Sequence, residues 1–246
     1  MNIKTDINLY FSGSGLTKDR CEDYVQLYEI AQSAFDGEYS YRELQEKSPE
    51  FDGPGASAVR TLIPLFKLMG FVDYSKSSTF RFNDDGKVFY YIQKAILEIE
   101  HSDIPQKERL FELINEAQTK LFWKGFLNLL QSDDENGDKF RIAFYLFDAF
   151  GEIDWNEYLY ALVLVLGTEK LTITDAINVI KGNRKNKIYY DIKAKGRDGN
   201  YSPVATTATS YLKSILETAG LIENSDKQNS SRVTGRFSEF KSFING

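Results

Sequence analysis

The sequence predicts a mainly α protein with small β elements, arranged as two units joined by a helical connection. Three observations predict it. Apolar residues recur at helical spacing over most of the chain, the strand-like runs are short, and one pattern of helix and strands occurs twice. In the first copy, the run from Ala56 to Met69 puts Ala58, Leu62, Leu65, Phe66 and Met69 on one helical face. Gly70 supplies the left-handed residue that stops the helix, Phe71-Val72 opens a strand, and Thr79-Phe-Arg-Phe opens another before Asn83-Asp-Asp-Gly. Displaced by 150 positions, Ala208, Leu212, Ile215, Leu216 and Ala219 repeat the face, Gly220 the stop and Leu221-Ile222 the strand. A polar turn over 225–230 leads to Arg232-Val-Thr-Gly-Arg-Phe.

A glycine-stopped helix followed by a short hairpin is how the last helix and wing of a winged-helix unit read. The expected organisation is therefore α+β: a first winged-helix domain over 1–100, a helical linker over 101–138 and a second winged-helix domain over 139–246.

The other elements follow in order. Residues 7–13 alternate weakly, as a short strand does. A helix is expected over 19–35, with Tyr24, Leu27, Tyr28 and Ala31 on one face. Ser40 caps a short helix through Leu44, and Ser48-Pro49 ends it. Pro64 is expected to kink or split the helix that contains it, because it removes a backbone hydrogen bond at a cost of about 3 kcal/mol. Val88, Ile92, Ala95, Ile96 and Ile99 mark the inner face of one helix, and Leu110, Leu113, Ile114, Ala117 and Leu121 that of a longer one. Phe140, Ala143, Phe144 and Phe147 mark a third, ended near Gly151. Residues 156–166 are apolar nearly all round and read as the buried first helix of the second unit. Thr172 or Thr174 caps the next, which runs to Gly182.

Composition removes several chemistries. One cysteine, Cys21, leaves no internal disulfide, and one histidine, His101, leaves no Cys/His zinc site and no obvious triad. His101 lies at an expected helix end, where a surface histidine is unremarkable. The longest apolar run is the nine residues 158–166, against roughly 20 needed to span a bilayer. With no signal-like N-terminus visible, a soluble, cytoplasmic protein without membrane partners is expected. The stretch 132–138 resembles a calcium loop, but alignment on its glycine puts Ser132 and Ala143 at the key ligand positions, so it reads as a linker.

The net charge is −6, yet its distribution is uneven. Lys181, Arg184, Lys185, Lys187, Lys193, Lys195 and Arg197 against Asp191 give +6 in seventeen residues and leave −12 elsewhere. Phosphate contacts supply much of the affinity for DNA, and this basic stretch immediately precedes the second copy's helix. On the polar face of that helix lie Thr206, Thr207, Ser210, Lys213 and Ser214; Ser57, Arg60, Thr61 and Lys67 hold the matching face of the first copy. Arg81 and Lys76 in the first wing, with Arg232 and Arg236 in the second, complete the candidates for DNA contact.

The chain resembles the N-terminal DNA-recognition half of type IIS restriction and nicking endonucleases of the AlwI class. The likeness runs through the turn Leu9-Tyr-Phe-Ser-Gly-Ser-Gly, the Phe35-Asp-Gly element, the wing from Met69 to Lys87, the phenylalanine-rich 140–151 and the helix and wing of 205–223. It implies a target-recognition module that binds double-stranded DNA with sequence preference and needs no cofactor. Cleavage would then come from a partner nuclease subunit or an absent C-terminal nuclease domain. Two other readings stay open. An acidic tandem winged-helix chain also suits a protein–protein subunit of a larger assembly. Asp175 with Asp191-Ile-Lys193 resembles the carboxylate-x-Lys core of Mg²⁺-dependent nucleases, which would make the chain a small enzyme holding Mg²⁺.

Overall fold

The computed structural model describes residues 1–11, 18–34, 39–51, 55–74 and 79–245. It is mainly helical with three small sheets and divides into two compact units. One, the early unit, spans 12–131; the other, the late unit, combines 1–11 with 132–246. These bounds differ from the expected ones. Residues 107–131 are a packed helix of the early unit rather than a linker, and the first eleven residues belong with the late unit. The Phe35-Asp-Gly element and Lys76 lie outside the described residues.

In the early unit, α1 (Lys18–Ala34) leads to β2 (Tyr39–Ser40), the strand β1 (Asn2–Thr5) being in the late unit. Ser40 caps α2 (Tyr41–Lys47) by accepting from Glu43 N at 3.0 Å, while the Glu43 carboxylate accepts from Ser40 N, so two orphan amides are met reciprocally. A single 3-10 turn (Ser48–Phe51) follows, then α3 (Ala56–Leu68), β3 (Val72–Tyr74), β4 (Thr79–Phe82), α4 (Asp84–Glu100) and α5 (Lys107–Gln131). The sheet order is β2-β4-β3, all antiparallel. α3 continues as one helix across Pro64 rather than splitting there, with Val59, Leu62, Ile63, Leu65 and Phe66 buried. Its core is aromatic: Tyr24 sits 4.3 Å from Phe66 and 4.7 Å from Phe89, ring centre to centre, and Phe89 reaches Phe122 at 5.7 Å. The Tyr24 hydroxyl donates to Gly86 O at 2.6 Å, and burial holds that phenol well above its ordinary pKa.

Two inner faces are in part rotated from those expected, though Ile99 and Leu121 are buried as read. In α4 the buried residues are Phe89, Tyr90, Gln93 and Ile99, with Val88 exposed; in α5 they are Thr119, Leu121, Phe122, Trp123, Phe126 and Leu129, with Leu110 and Leu113 exposed. Larger aromatic side chains one position away win the interior because they remove more apolar area from water.

The late unit begins with β1 (Asn2–Thr5), not the expected strand at 7–13. Then come α6 (Glu135–Phe150), β5 (Glu152–Asp154), α7 (Trp155–Leu166), α8 (Ile173–Lys185), β6 (Asp191–Lys195), β7 (Tyr201–Pro203), α9 (Thr207–Thr218), β8 (Ile222–Asn224), β9 (Ser230–Val233) and α10 (Gly235–Asn245). The stretch read as a linker over 132–138 is largely the start of α6, capped by Asp134. Two sheets form, β1-β6-β7 and β5-β9-β8. β1 runs parallel to β6 with Ile3 opposite Ile192, and buried Lys139 donates to Tyr10 O at 2.6 Å, which anchors the first segment to α6. Thr172 caps α8. No helix among the described residues is long and apolar enough to cross a membrane.

Both units place helix, strand and helix ahead of a second pattern of helix, strand and strand, with strand order first-third-second. In the late unit α6, β5 and α7 take the leading places, so 156–166 is the second helix of the pattern rather than the expected first. α8 and the β6–β7 hairpin are inserted before α9. The match at a displacement of 150 reaches individual hydrogen bonds. Met69, Gly70 and Phe71 donate to Leu65 O, Lys67 O and Phe66 O; Ala219, Gly220 and Leu221 donate to Ile215 O, Glu217 O and Leu216 O. Gly70 and Gly220 hold φ of 73° and 67°, the left-handed stop.

Candidate nucleic-acid interface

The helix of the second copy is α9. Its apolar face, Ala208, Leu212, Ile215, Leu216 and Ala219, is buried as the sequence predicts. Thr206 at its N-cap forms no side-chain cap bond, and Thr207 is exposed. Ser210 donates back to Thr207 O at 3.4 Å. Lys213 reaches Asn224 Oδ1 at 2.6 Å, which ties the helix to β8. Glu217, whose carboxyl burial raises and Lys213 pulls back, closes that side.

Beside the start of α9 lies a concavity of about 430 Å³ lined by Asn156, Leu159, Thr206, Thr209, Gln228 and Asn229. It joins the first turn of α7, the first turn of α9 and the β8–β9 turn. The turn is latched there: Trp155 N donates to Asn229 O at 3.0 Å and Asn229 Nδ2 to Asp154 Oδ1 at 3.0 Å, with Asn229 in the left-handed region at φ 57°. Two further hollows of about 480 and 260 Å³ share Asp154, Glu157, Arg184 and Tyr189. Sequence reasoning missed Asn156, Gln228 and Asn229, since uncharged amides on a turn and a helix start carry no spacing signal.

The basic stretch divides in two. Arg184 is a structural residue: its guanidinium grips Glu157 with bonds of 2.8 and 2.5 Å, donates to Glu152 O at 2.8 Å and lies 4.0 Å over the Phe150 ring. Lys193 sits 3.8 Å from Asp191, and Lys195 sits 3.5 Å from Asp6, whose carboxyl is held below its usual range chiefly by the Tyr201 hydroxyl. Lys181, Lys185, Lys187 and Arg197 stay exposed and form no ion pair among the described residues. Lys4, also unseen in the sequence, joins Lys193 and Lys195 on the β1-β6-β7 sheet. Register puts it opposite Lys193, and its ammonium lies 5.4 Å from the Tyr201 ring.

In the early unit, Arg60 is exposed on α3 without an ion pair among the described residues, and Lys67 is exposed in the last turn. Thr61 is occupied, donating to Ala58 O at 3.0 Å. Two of the three expected wing arginines bridge their own hairpins, Arg81 facing Asp73 at 3.6 Å and Arg232 facing Glu223 at 2.7 Å, while Arg236 lies in α10 beyond the hairpin. That pairing is a further repeat, since Asp73 and Glu223 differ by the same 150 positions.

Asp175 accepts from Thr172 Oγ1 at 2.6 Å in the first turn of α8, while Asp191 opens β6. Among the described residues no three His, Cys, Asp or Glu side chains are placed to hold a metal ion. His101 ends α4, its Nδ1 2.7 Å from Leu97 O.

Comparison with protein-family models, with curated proteins and with solved structures finds no match to this chain.

Proposed function

We propose that this chain binds double-stranded DNA through two winged-helix units, as the target-recognition module of a restriction or nicking system. The observation that carries the reading is the repeated helix, glycine stop and hairpin, each with a third strand paired on the far side of the hairpin. A helix beside a three-stranded sheet in the order first-third-second suits a winged-helix reading, in which the helix would meet a groove and the hairpin turn the backbone. In the late unit, Thr206, Thr207 and Ser210 would meet base edges or phosphates. Asn156 and Gln228 would flank them, and Lys181, Lys185, Lys187 and Arg197 would hold the backbone. In the early unit Arg60 and Lys67 take the corresponding part. The AlwI-class resemblance agrees with this use, and cleavage would then fall to another domain or subunit.

The test is fluorescence anisotropy with labelled duplexes across a salt series. Affinity is expected to fall steeply with salt, the log–log slope losing about 0.9 for each phosphate contact removed by K181A, K185A, K187A or R197A. No binding even at low salt would sink the proposal and favour a protein-binding subunit, for which the acidic balance outside 181–197 speaks. Mg²⁺-dependent cleavage abolished by K193A would instead mark the chain as the nuclease itself.

A further inference from the structure

The hairpin of α4 and α5 leaves unusually large apolar side chains in solvent: Val88 is 48% exposed, Tyr91 58%, Ile104 38%, Leu110 37% and Leu113 61%. Solvent-facing apolar groups gathered on one element mark an interaction surface rather than scattered surface hydrophobes. The hairpin is antiparallel, held near one end by Asp85 and Lys124 at 2.5 Å and near the other by Lys107 Nζ on Glu100 O at 2.8 Å. Tyr91 is therefore close to level with Ala117, and Ala95 with Leu113.

Both helices space these residues by three and then four: Val88, Tyr91 and Ala95 on α4, Leu110, Leu113 and Ala117 on α5. A mean step of 3.5 residues keeps a stripe aligned along a helix for packing against another helix. The early unit does not use this stripe, because its core takes Phe89 and Gln93 from α4 and Phe122, Trp123 and Phe126 from α5. Ala117 is exposed as well.

We propose that the stripe is a homodimer interface, α5 of one copy packing antiparallel on α5 of a second about a two-fold axis at Leu113. Charge selects a second copy as the occupant. Arg109 stands four residues before Leu113 and Glu116 three after it, on the flank of the stripe. A two-fold at Leu113 brings Arg109 of each copy opposite Glu116 of the other, twice, to within about one residue's rise of 1.5 Å. Arg109 has no ion pair among the described residues, while Glu116 is already reached by Lys120 at 3.4 Å, so the dimer adds a second cation to that carboxylate.

Sedimentation or light scattering of the full chain over a concentration series, without DNA, tests this. The mass is expected to rise from one chain to two, and L113E to stay monomeric with the melting temperature the unaltered chain shows at monomeric dilution, because Leu113 lies outside the core. R109E and E116R should each weaken the dimer, by a factor on the order of ten for two exposed pairs, and the double variant R109E/E116R should regain it. A chain monomeric at every concentration, a dimer that L113E leaves intact, or a double variant no tighter than the singles would overturn the proposal. None of these outcomes bears on DNA binding, which the anisotropy titration reads separately.

Discussion

At the scale of single residues, the repeat places glycines where backbones or left-handed turns leave no alternative. Gly86, outside the repeat in the first turn of α4, is among the tightest: a Cβ there would lie 2.2 Å from Phe71 O and 3.3 Å from the Tyr24 hydroxyl. Backbone cannot give way as a flexible side chain can. G86A is therefore expected to destabilise the early unit by about 1–3 kcal/mol or more, read as a lowered urea midpoint. An unchanged midpoint would mean that α4 shifts freely. The pattern Asn83-Asp-Asp-Gly announces a turn, and Asn83 does cap α4 by accepting from Gly86 N at 3.1 Å, but nothing in it announces the approach of Phe71. The fate of each arginine was equally hidden. Arg184 sits in the middle of the basic stretch and looks like its neighbours; only the fold brings Glu157 and Phe150 to it.

Among elements, the least expected is the pairing of β1 with β6 across almost the whole chain. Parallel strands so far apart in sequence leave no turn or spacing to read, and β1 itself is only Asn2–Thr5. Its hold depends on Lys139, fully buried, which bonds Tyr10 O and Glu135 at 2.6 Å each. Replacing Lys139 by Met keeps the volume but removes a charge-assisted bond worth about 1.5–3 kcal/mol. In K139M the amides of β1 and β6 should exchange with deuterium faster while those of β8 and β9 do not. Equal protection in both sheets would show that the strand ladder alone secures the segment. By contrast, α9 and its glycine stop were legible residue by residue, because one side of the helix faces its own unit's core and a 3.6-residue period records that side. The faces of α4 and α5 were in part read one position off, for a related reason: each helix has two apolar sides, and the sequence does not say which one the unit buries.

For the whole molecule, two cores imply two folding units. The chain has two tryptophans, Trp123 buried in the early unit and Trp155 buried in the late one, where its indole donates to Ser231 at 3.1 Å. Single-tryptophan variants W123F and W155F thus report the two cores separately. Their denaturant transitions are expected to fall at different midpoints, as domains with separate cores unfold separately. Coincident midpoints and slopes would show one cooperative molecule instead. The unit bounds were beyond sequence reasoning: 101–131 carries few turn signals and reads as a connecting helix, yet Phe122 and Phe126 complete the early core.

By itself the sequence determined the local and periodic features: the repeat, its two glycine stops and the cap of α2. These are written in neighbouring residues and in spacing, which short-range sterics and burial of one helical side convert directly into structure. Only the tertiary structure decided which cations remain free, which apolar stripe is buried and which strand completes the β6–β7 sheet. Those outcomes depend on groups brought together from distant positions, where charge pairing and packing compete among partners that no local pattern names.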